Sequence, residues 1–274
     1  MVRGMDHIVV AVRDLAATAS AWEALGFTVT PENRHPWGTM NRIVQLDGFF
    51  IELLTVGDES AIVEPGEGEF SFGAFNRDFL KVREGASMLV LESTDPEADR
   101  AAFSSLGLDL YKPFSFERVA TFKDGTTGKV AFDLTFLSSD LLPGLGFFTC
   151  RNRYPQTFWN KTFQTHENGA SNVDRVYIVD KDPSDHHEFL GGFTGQREMR
   201  ATSLGLEIET SRGTISVLNP DAYAYVAGGE AAAAAGETLP QIAAIEIGCK
   251  GLDERKTIVS PELGGVTLIL SPVA

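Results

Sequence analysis

A single carboxylate stands in the middle of an apolar segment near the start of the chain. Glu52 follows Phe50 and Ile51 and precedes Leu53 and Leu54. Burying a carboxylate without a partner is costly, so such a residue is retained where it binds a ligand, accepts a hydrogen bond or acts as a base. We therefore predict that Glu52 is a catalytic residue.

A polar segment precedes this carboxylate, and residues 35–42 read HPWGTMNR. Gly38 allows a tight turn, while the Thr39 hydroxyl and the Asn41 amide offer hydrogen bonds to a polar ligand. The residues that we assign to the site from this segment are His35 as catalytic and Trp37, Thr39 and Asn41 as substrate-binding.

Phenylalanine is abundant, with 19 residues, and it is clustered at residues 70–79 and at Phe114 and Phe116. Two interpretations stay open. The rings pack a sheet against its helices, or they line an apolar cavity that accepts an aromatic or acyl substrate. In the second case Arg118, with Arg151 or Arg153, is placed to bind an anionic group, and we assign Arg118 as substrate-binding.

The charge balance excludes two classes of partner. The chain has 274 residues with 23 Lys plus Arg against 38 Asp plus Glu, a formal charge of −15. Such an acidic protein repels phosphate backbones and anionic headgroups, so we expect neither a nucleic acid nor a membrane as partner. The hydrophobic fraction of 43% is too high for a disordered chain.

Cysteine usage and the amino terminus indicate the compartment. Cys150 and Cys249 are the two cysteines, too few for a disulfide scaffold. The first residues lack the pattern of a secretion signal, and no uncharged stretch approaches the ~20 residues that cross a bilayer. We predict a cytoplasmic protein. Phosphate-binding glycine motifs are absent from the sequence, so no nucleotide cofactor is expected.

The elements that must position these residues form a repeat. A strand at residues 8–12 leads to Asp14, a helix N-cap, and the helix stops at Gly26. The pattern returns with a strand at residues 88–91, Asp95 as the cap and Gly107 as the stop, and the glycine follows the aspartate by 12 positions in both copies.

Strand-like runs follow each helix, so each unit reads βαβββ. The runs are residues 27–31, 42–46 and 49–56 in the first unit and 108–116, 129–137 and 145–151 in the second. A third unit starts at residues 176–179. A shortened fourth unit has strands at residues 242–248 and 265–270 and a weak helical stretch at 252–257.

The repeat predicts an α+β fold in which βαβββ units pair into two cup-shaped barrels, because one open sheet leaves its concave face unburied. Connections rich in glycine or proline are expected at residues 64–73 and 228–239. We place the domains at residues 1–165, which hold the site, and at residues 166–274, a degenerate barrel.

Three segments carry a resemblance to a known family. Residues 6–12, DHIVVAV, resemble the first strand of the vicinal oxygen chelate superfamily, which includes glyoxalases, bleomycin-resistance proteins and extradiol dioxygenases. Residues 35–41 and 50–53 are similar to the H-x-x-G-T-x-N and F-x-E-L patterns of its glyoxalase-like branch. Residues 147–159 also look like a bacterial subset of that branch.

The resemblance implies a metal site. In the superfamily the metal lies between the first and last strands of two adjacent units, which here implies His7 and Glu52 as ligands of a divalent Zn, Fe, Mn or Ni ion. An overlay of the second unit places Ser87 and Cys150 at the other two positions. Serine is a poor ligand and the Cys150 thiolate a possible soft one, so the set is incomplete. We assign Cys150 as substrate-binding.

The second pair of units departs further from the family pattern. Arg175 stands where the first unit has His7, and the closing strand lacks a carboxylate. We expect no iron-dependent ring cleavage there, and Arg175 either binds an anion or pairs with a surface acid. His166 turns the chain between domains or closes over the cavity, and His186 and His187 lie on a solvated helix face.

The family likeness and the candidate residues together predict a glyoxalase-like enzyme that acts on a small oxygenated metabolite by lyase, isomerase or dioxygenase chemistry. The alternative is a metal-free small-molecule binding or resistance protein of the same fold. A homodimer whose interface uses the second domain is a further open possibility.

Overall fold

The computed structural model describes residues 2–121 and 127–273. Its strands are β1 Met5–Ala11, β2 Asn33–Arg34, β3 Thr39–Gln45, β4 Phe50–Val56, β5 Gly85–Glu92, β6 Asp109–Leu110, β7 Phe114–Thr121, β8 Thr127–Ser138, β9 Gly146–Asn152, β10 Ala170–Val179, β11 Arg200–Thr202, β12 Gly205–Glu209, β13 Thr214–Leu218, β14 Gln241–Cys249, β15 Lys256–Ile258 and β16 Thr267–Pro272. Its helices are α1 Leu15–Ala24, α2 Phe72–Val82, α3 Pro96–Ser105, α4 Pro155–Phe158, α5 His187–Thr194, α6 Pro220–Ala227 and α7 Gly229–Ala235, and short 3₁₀ turns lie at Glu59–Ala61, Pro183–His186 and Pro261–Leu263.

The first unit is built on β1, which pairs in parallel with β4 and places Val9 opposite Glu52. β3 pairs antiparallel with β4 on its other side. The intervening helix α1 begins at Asp14, whose side chain accepts the backbone N–H of Ala17 at 2.9 Å. This cap is the one that the sequence predicts.

The second unit repeats the arrangement. β5 pairs in parallel with β9, and β8 lies between β9 and β7 in an antiparallel ladder. Asp95 caps α3 as predicted. The two units join where β1 and β5 pair antiparallel, so their sheets curve around a shared concave face. The α+β fold of βαβββ units is confirmed.

The second half continues the same sheet. β10 pairs with β13 and β14, and β14 meets β5 at Ile242 opposite Ala86. One apolar core joins residues of both halves, such as Leu89 and Ile245. The domain boundary at residues 165 and 166 stays a prediction.

Two local expectations are wrong. Residues 252–255 contain no helix, and residues 256–257 begin β15, which pairs with β16. Residues 27–31 contain no strand. The connection at residues 228–239 contains the helix α7, whose Ala231 packs into an apolar cluster.

Within the described residues, no helix is both long and apolar enough to cross a membrane. The cytoplasmic location and the homodimer stay predictions.

Candidate functional site

A cavity lies on the concave face shared by the first two units, between β1, β3 and β4 on one side and β7, β8 and β9 on the other. It holds about 690 Å³ of atom-free space, its mouth included. Most of its wall is aromatic: Trp37, Phe50, Phe72, Phe114, Phe116, Phe132, Phe148 and Phe158. The Phe-rich cavity that the sequence left open as one of two interpretations is therefore present.

The structure brings nearly all of the predicted site residues to this cavity. Those that line it are His7, His35, Trp37, Asn41, Glu52, Arg118 and Cys150. Thr39 does not line it. This residue is fully buried, and its hydroxyl lies 2.8 Å from Nδ1 of His35, so it contacts the site through that ring.

Glu52 is the buried carboxylate of the wall, with 6% of its surface exposed. Its Oε1 accepts a hydrogen bond from Nδ2 of Asn41 at 2.5 Å. Its Oε2 lies 4.0 Å from Nε2 of His7, and no hydrogen bond to Oε2 is found among the described residues. One oxygen of the carboxylate is therefore held, while the other is available to a molecule in the cavity.

His7 is oriented by its neighbours on both sides. Its Nδ1 lies 2.6 Å from Oδ1 of Asp6, and its ring stacks on Phe50 with 4.1 Å between centroids. A carboxylate accepts hydrogen bonds, so Nδ1 carries the proton in the neutral ring. The other nitrogen, Nε2, then presents a lone pair toward Glu52 and the cavity.

His35 is neutral, because burial lowers its pKa more than the negative charge of Glu52 raises it, and Arg118 lowers it further. Nδ2 of Asn41 lies 3.4 Å from Nε2 of His35. The opposite amide orientation of Asn41 would bring two oxygens together at Glu52, so Nδ2 faces both groups and Nε2 of His35 is an acceptor. The His35 proton is then on Nδ1, toward Thr39.

These contacts form one polar chain: Thr39, His35, Asn41, Glu52, His7 and Asp6. Both nitrogens of His35 are engaged within it. The geometry thus gives His35 a role in holding Asn41, and through it Glu52.

The donor set does not complete a metal centre. Among residues 2–121 and 127–273, no group of three or more His, Cys, Asp or Glu side chains is placed to hold a metal ion. His7 and Glu52 are the pair that faces one point. Burial and the charges of Asp6 and Glu52 raise the pKa of the Cys150 thiol well above its usual range, which keeps it a neutral and poor ligand.

The overlay that placed Ser87 at the position equivalent to His7 is wrong. Val90 pairs with Phe148 as His7 pairs with Phe50, so Val90 is the residue that corresponds to His7. Met88 and Val90 are the β5 residues that pack into the apolar cluster under the cavity. Side chains alternate along a strand, so Ser87 lies on the other face, where its hydroxyl donates to Oδ1 of Asn76 at 2.8 Å.

The remaining histidines do not line the cavity. His166 is buried against the first unit, accepting the N–H of Thr28 on Nδ1 at 2.9 Å while Nε2 lies 2.8 Å from the carbonyl oxygen of Gln45. The prediction of a solvated face is wrong for His186, which is 1% exposed and bonded to Asp180, and confirmed for its neighbour His187, which is exposed.

Arg175 pairs with a carboxylate, which is one of the two roles that the sequence left open for it. Its Nη1 lies 2.7 Å from Oε1 of Glu207 and 2.5 Å from the hydroxyl of Ser216.

Several wall residues escaped the sequence analysis. Phe132, Phe148 and Phe158 complete the aromatic lining, and Phe50 stacks on the imidazole of His7. A signal existed, because Phe114, Phe116 and Arg118 alternate on β7, and Val130, Phe132 and Leu134 alternate on the neighbouring β8. Two adjacent strands with aligned large residues share one face.

Comparisons with known proteins agree with this architecture. The sequence matches the model of the family described as glyoxalase-like domain over residues 5–193. No curated protein sequence matches the chain significantly.

Two solved structures, each matched over 99% of this chain, share its fold. A hypothetical protein from Staphylococcus aureus is 15% identical with a TM-score of 0.76, covering 99% of this chain and 100% of that chain. The Mn(II)-bound glyoxalase from Novosphingobium aromaticivorans is 10% identical with a TM-score of 0.53, covering 99% and 82%. Methylmalonyl-CoA epimerase from Mycobacterium tuberculosis is 19% identical over 57% of this chain and 92% of that chain, with a TM-score of 0.39.

The family match spans well over half of the residues and includes the strands that carry His7 and Glu52. The chain therefore belongs to the glyoxalase-like domain family.

Proposed function

We propose that the cavity is the active site of a glyoxalase-like enzyme that transfers a proton at a small oxygenated molecule, with Glu52 as the base. The observation that carries this proposal is the state of the Glu52 carboxylate. Asn41 holds Oε1, and Oε2 faces the cavity beside Nε2 of His7. A positioned base in an apolar cavity is what abstraction of a proton next to a carbonyl requires.

The reaction class follows from this arrangement. Oε2 of Glu52 takes a proton from the carbon beside a carbonyl group, and the electron pair of the C–H bond moves to the carbonyl oxygen as an enolate. Returning the proton to the other face or to a neighbouring carbon completes an isomerisation. Expulsion of a leaving group from the next carbon completes a lyase reaction.

Asn41 and His35 are positioning residues in this proposal. The amide of Asn41 donates to Oε1 of Glu52, which leaves Oε2 as the basic atom. His35 in turn accepts from the same amide and fixes its orientation. A carboxylate held in one rotamer loses less freedom when the substrate arrives, which lowers the barrier.

Exchange of substrate protons with deuterated water tests the proposal directly. We would incubate the protein in D₂O with phenylpyruvate, phenylacetone and pyruvate, and follow loss of the α-proton signal by ¹H NMR. Wild type is expected to accelerate exchange in at least one of these carbon acids, and Glu52→Gln is expected to abolish the acceleration by a factor of about 10²–10⁴. Glu32→Gln, at an exposed carboxylate near the site, is the matched control.

Absence of accelerated exchange in all three compounds, with binding retained, favours the second candidate function. In that case the cavity belongs to a metal-free binding or resistance protein. The aromatic wall favours this alternative, because it supplies apolar contact area independently of any catalysis.

The donor set supports a reaction without a resident divalent metal. Among the described residues the cavity offers Nε2 of His7 and the Glu52 carboxylate, two ligands where a stable site has three or more. We propose that the proton transfer needs no resident metal. Elemental analysis of protein purified without chelator is expected to show far less than one transition metal per chain, with exchange unchanged by EDTA. A stoichiometric metal that disappears in His7→Ala would contradict this.

A further inference from the structure

The cation of the cavity, Arg118, lies on β7 in line with Phe114 and Phe116 and is half-buried. Its described hydrogen bond is a long one, 3.3 Å from Nη2 to Oδ1 of Asn33. No ion pair joins it to a carboxylate anywhere in residues 2–121 and 127–273. The guanidinium thus has donors that face the cavity without an acid to receive them.

Several other half-buried arginines are neutralised by a carboxylate within 3.0 Å, among them Arg3 with Asp99, Arg175 with Glu207 and Arg212 with Glu92. Three half-buried arginines outside the cavity, Arg42, Arg83 and Arg100, have no carboxylate partner among the described residues, and Arg83 and Arg100 donate to backbone carbonyl oxygens. Arg118 differs from these three in that it lines the cavity, where a bound anion can be its partner.

The cation and the base come from different strands of the cavity wall, Arg118 from β7 and Glu52 from β4. Arg118 pairs with Val130 on the β7 and β8 ladder, and Phe116 pairs with Phe132 two residues along. Both charges act on His35, which lines the same cavity. A ligand that reaches both groups has its negative group at Arg118 and its reacting atom at Glu52.

Aromatic rings form the cavity wall around His35. Trp37 stacks on His35 at 4.8 Å between centroids, and Phe116 meets the Trp37 ring edge-on at the same distance. Phe132 lies 5.3 Å from Phe116. Such walls favour a flat aromatic body, which makes stacked and edge-to-face contacts with them.

We infer that the substrate is an aromatic monoanion, such as an aryl-substituted carboxylate, whose negative group binds the Arg118 guanidinium while its ring lies against Trp37, Phe116 and Phe132. This inference rests on the proposed function in that it places the ligand in the same cavity. A guanidinium binds a carboxylate through two parallel hydrogen bonds, which selects a planar anion. The overall charge of −15 repels anions at long range, so an anion that binds in the cavity needs the local attraction of Arg118.

Two probes of equal shape and different charge test the inference. Isothermal titration calorimetry would compare phenylacetate with phenylacetamide on wild type. Phenylacetate is expected to bind at least about tenfold more tightly, because an added charge-assisted hydrogen bond is worth about that factor. Equal affinity for the two probes, or binding of neither, overturns the inference without any mutation.

Variants then locate the anion. Arg118→Gln is expected to remove the preference for phenylacetate, and Arg118→Lys to keep part of it, since lysine retains the charge without the planar fork. Arg34→Gln, which removes an exposed arginine paired with Glu32 close to the cavity, is expected to leave the preference unchanged. A preference that survives in a folded Arg118→Gln protein overturns the inference.

The two proposals fail separately. Accelerated exchange of phenylacetone that depends on Glu52, without any charge preference, keeps the proton transfer and overturns the aromatic anion. A charge preference that depends on Arg118, without exchange in any carbon acid, keeps the aromatic anion as a ligand and overturns the proton transfer.

Discussion

Each half of the sheet contains a buried carboxylate, and the two differ in the number of hydrogen bonds that they accept. On the concave face of the second half, Glu246 of β14 accepts from the Tyr177 hydroxyl at 2.5 Å, from Nε of Arg255 at 3.0 Å and from the Ser271 hydroxyl. On the first half, Glu52 accepts one described hydrogen bond, from Asn41. One carboxylate is fully satisfied by the fold, and the other keeps an oxygen free.

The arginines repeat this contrast. Arg175 and Arg255 of the second half are paired with Glu207 and Glu246, whereas Arg118 of the first half meets no described acid. Closed charge networks hold a concave surface in shape, and open ones can bind a ligand. The difference indicates that the cavity of the first half leaves hydrogen-bonding capacity on Glu52 and Arg118 for a ligand, whereas Glu246, Arg175 and Arg255 of the second half are satisfied within the fold.

The largest expected difference between the halves is the change in the free energy of unfolding when each carboxylate is replaced by an amide. Glu246→Gln leaves Arg255 without its acid, so we expect the free energy of unfolding to fall by about 2 kcal/mol, a value reduced from that of a fully buried pair because Arg255 is partly exposed. Glu52→Gln is expected to leave it unchanged or raised, since active-site carboxylates are held at a cost to stability. Urea denaturation measures the free energy of unfolding of both variants. An equal decrease in the two would contradict the difference between the two carboxylates.

The next test compares two asparagines. Asn41 donates to Glu52 and Asn172 donates to Asp174, each at 2.5 Å. We expect Asn41→Ala to slow proton exchange about tenfold through kcat, because Glu52 loses a charge-assisted hydrogen bond. Asn172→Ala is expected to leave exchange unchanged. A similar loss in both variants would indicate a general effect on folding.

The third test uses the pH dependence of unfolding and concerns His166, a histidine at the junction of the halves. Burial lowers the pKa of His166, and Thr28 N–H requires its lone pair. The pKa of this imidazole is higher in the unfolded chain, so the unfolded chain is protonated first as the pH falls. The contribution of His166 to the free energy of unfolding is therefore complete above about pH 6.5 and is lost as the pH falls through the lowered pKa. We expect His166→Gln to cost about 1 kcal/mol at pH 7.5 and to flatten the pH dependence of unfolding.

Thermal denaturation between pH 7.5 and 5 measures this difference between wild type and variant. His187→Gln, at an exposed histidine of the second half, serves as its control and should leave both curves superimposed. If the stability of His166→Gln fell more steeply with decreasing pH than that of wild type, the direction assigned to the pKa shift of His166 would be wrong.

The smallest effect is expected from the two cysteines, where the halves should behave alike. Burial raises the pKa of both thiols, Cys150 at the cavity and Cys249 in β14. We expect neither to react with iodoacetamide in the native protein at pH 7.5 by mass spectrometry, and Cys150→Ser to change exchange by less than about threefold. Rapid alkylation of Cys150 would show a thiolate at the cavity.

Much of the first half could be predicted because its signals are local. Alternation along β4 placed Glu52 on one face, and the caps at Asp14 and Asp95 marked two helices. The helix α2 was also readable, since Ser71 caps it and Phe72, Phe75 and Phe79 recur at helical spacing. The glycine-rich and proline-rich residues before it concealed that pattern.

The errors come from contacts between distant residues. Ser87 bonds to Asn76 away from the cavity, and the pairing of β5 with β9 sets which β5 residue corresponds to His7. Thr39 alternates correctly with Asn41 yet lies behind His35, whose ring occupies the cavity in its place. His186 is buried because Asp180, six residues earlier, accepts from its ring.

The sequence by itself determined the βαβββ repeat, the family likeness and nearly every polar residue of the candidate site, because periodicity, caps and short motifs are properties of neighbouring residues. The tertiary structure alone decided which charges are neutralised and which stay open. Glu52 and Glu246 are both carboxylates within apolar strands, and Arg118 and Arg175 both face a concave sheet. Their partners come from remote segments, and an electrostatic interaction depends on distances that only the closed sheet sets.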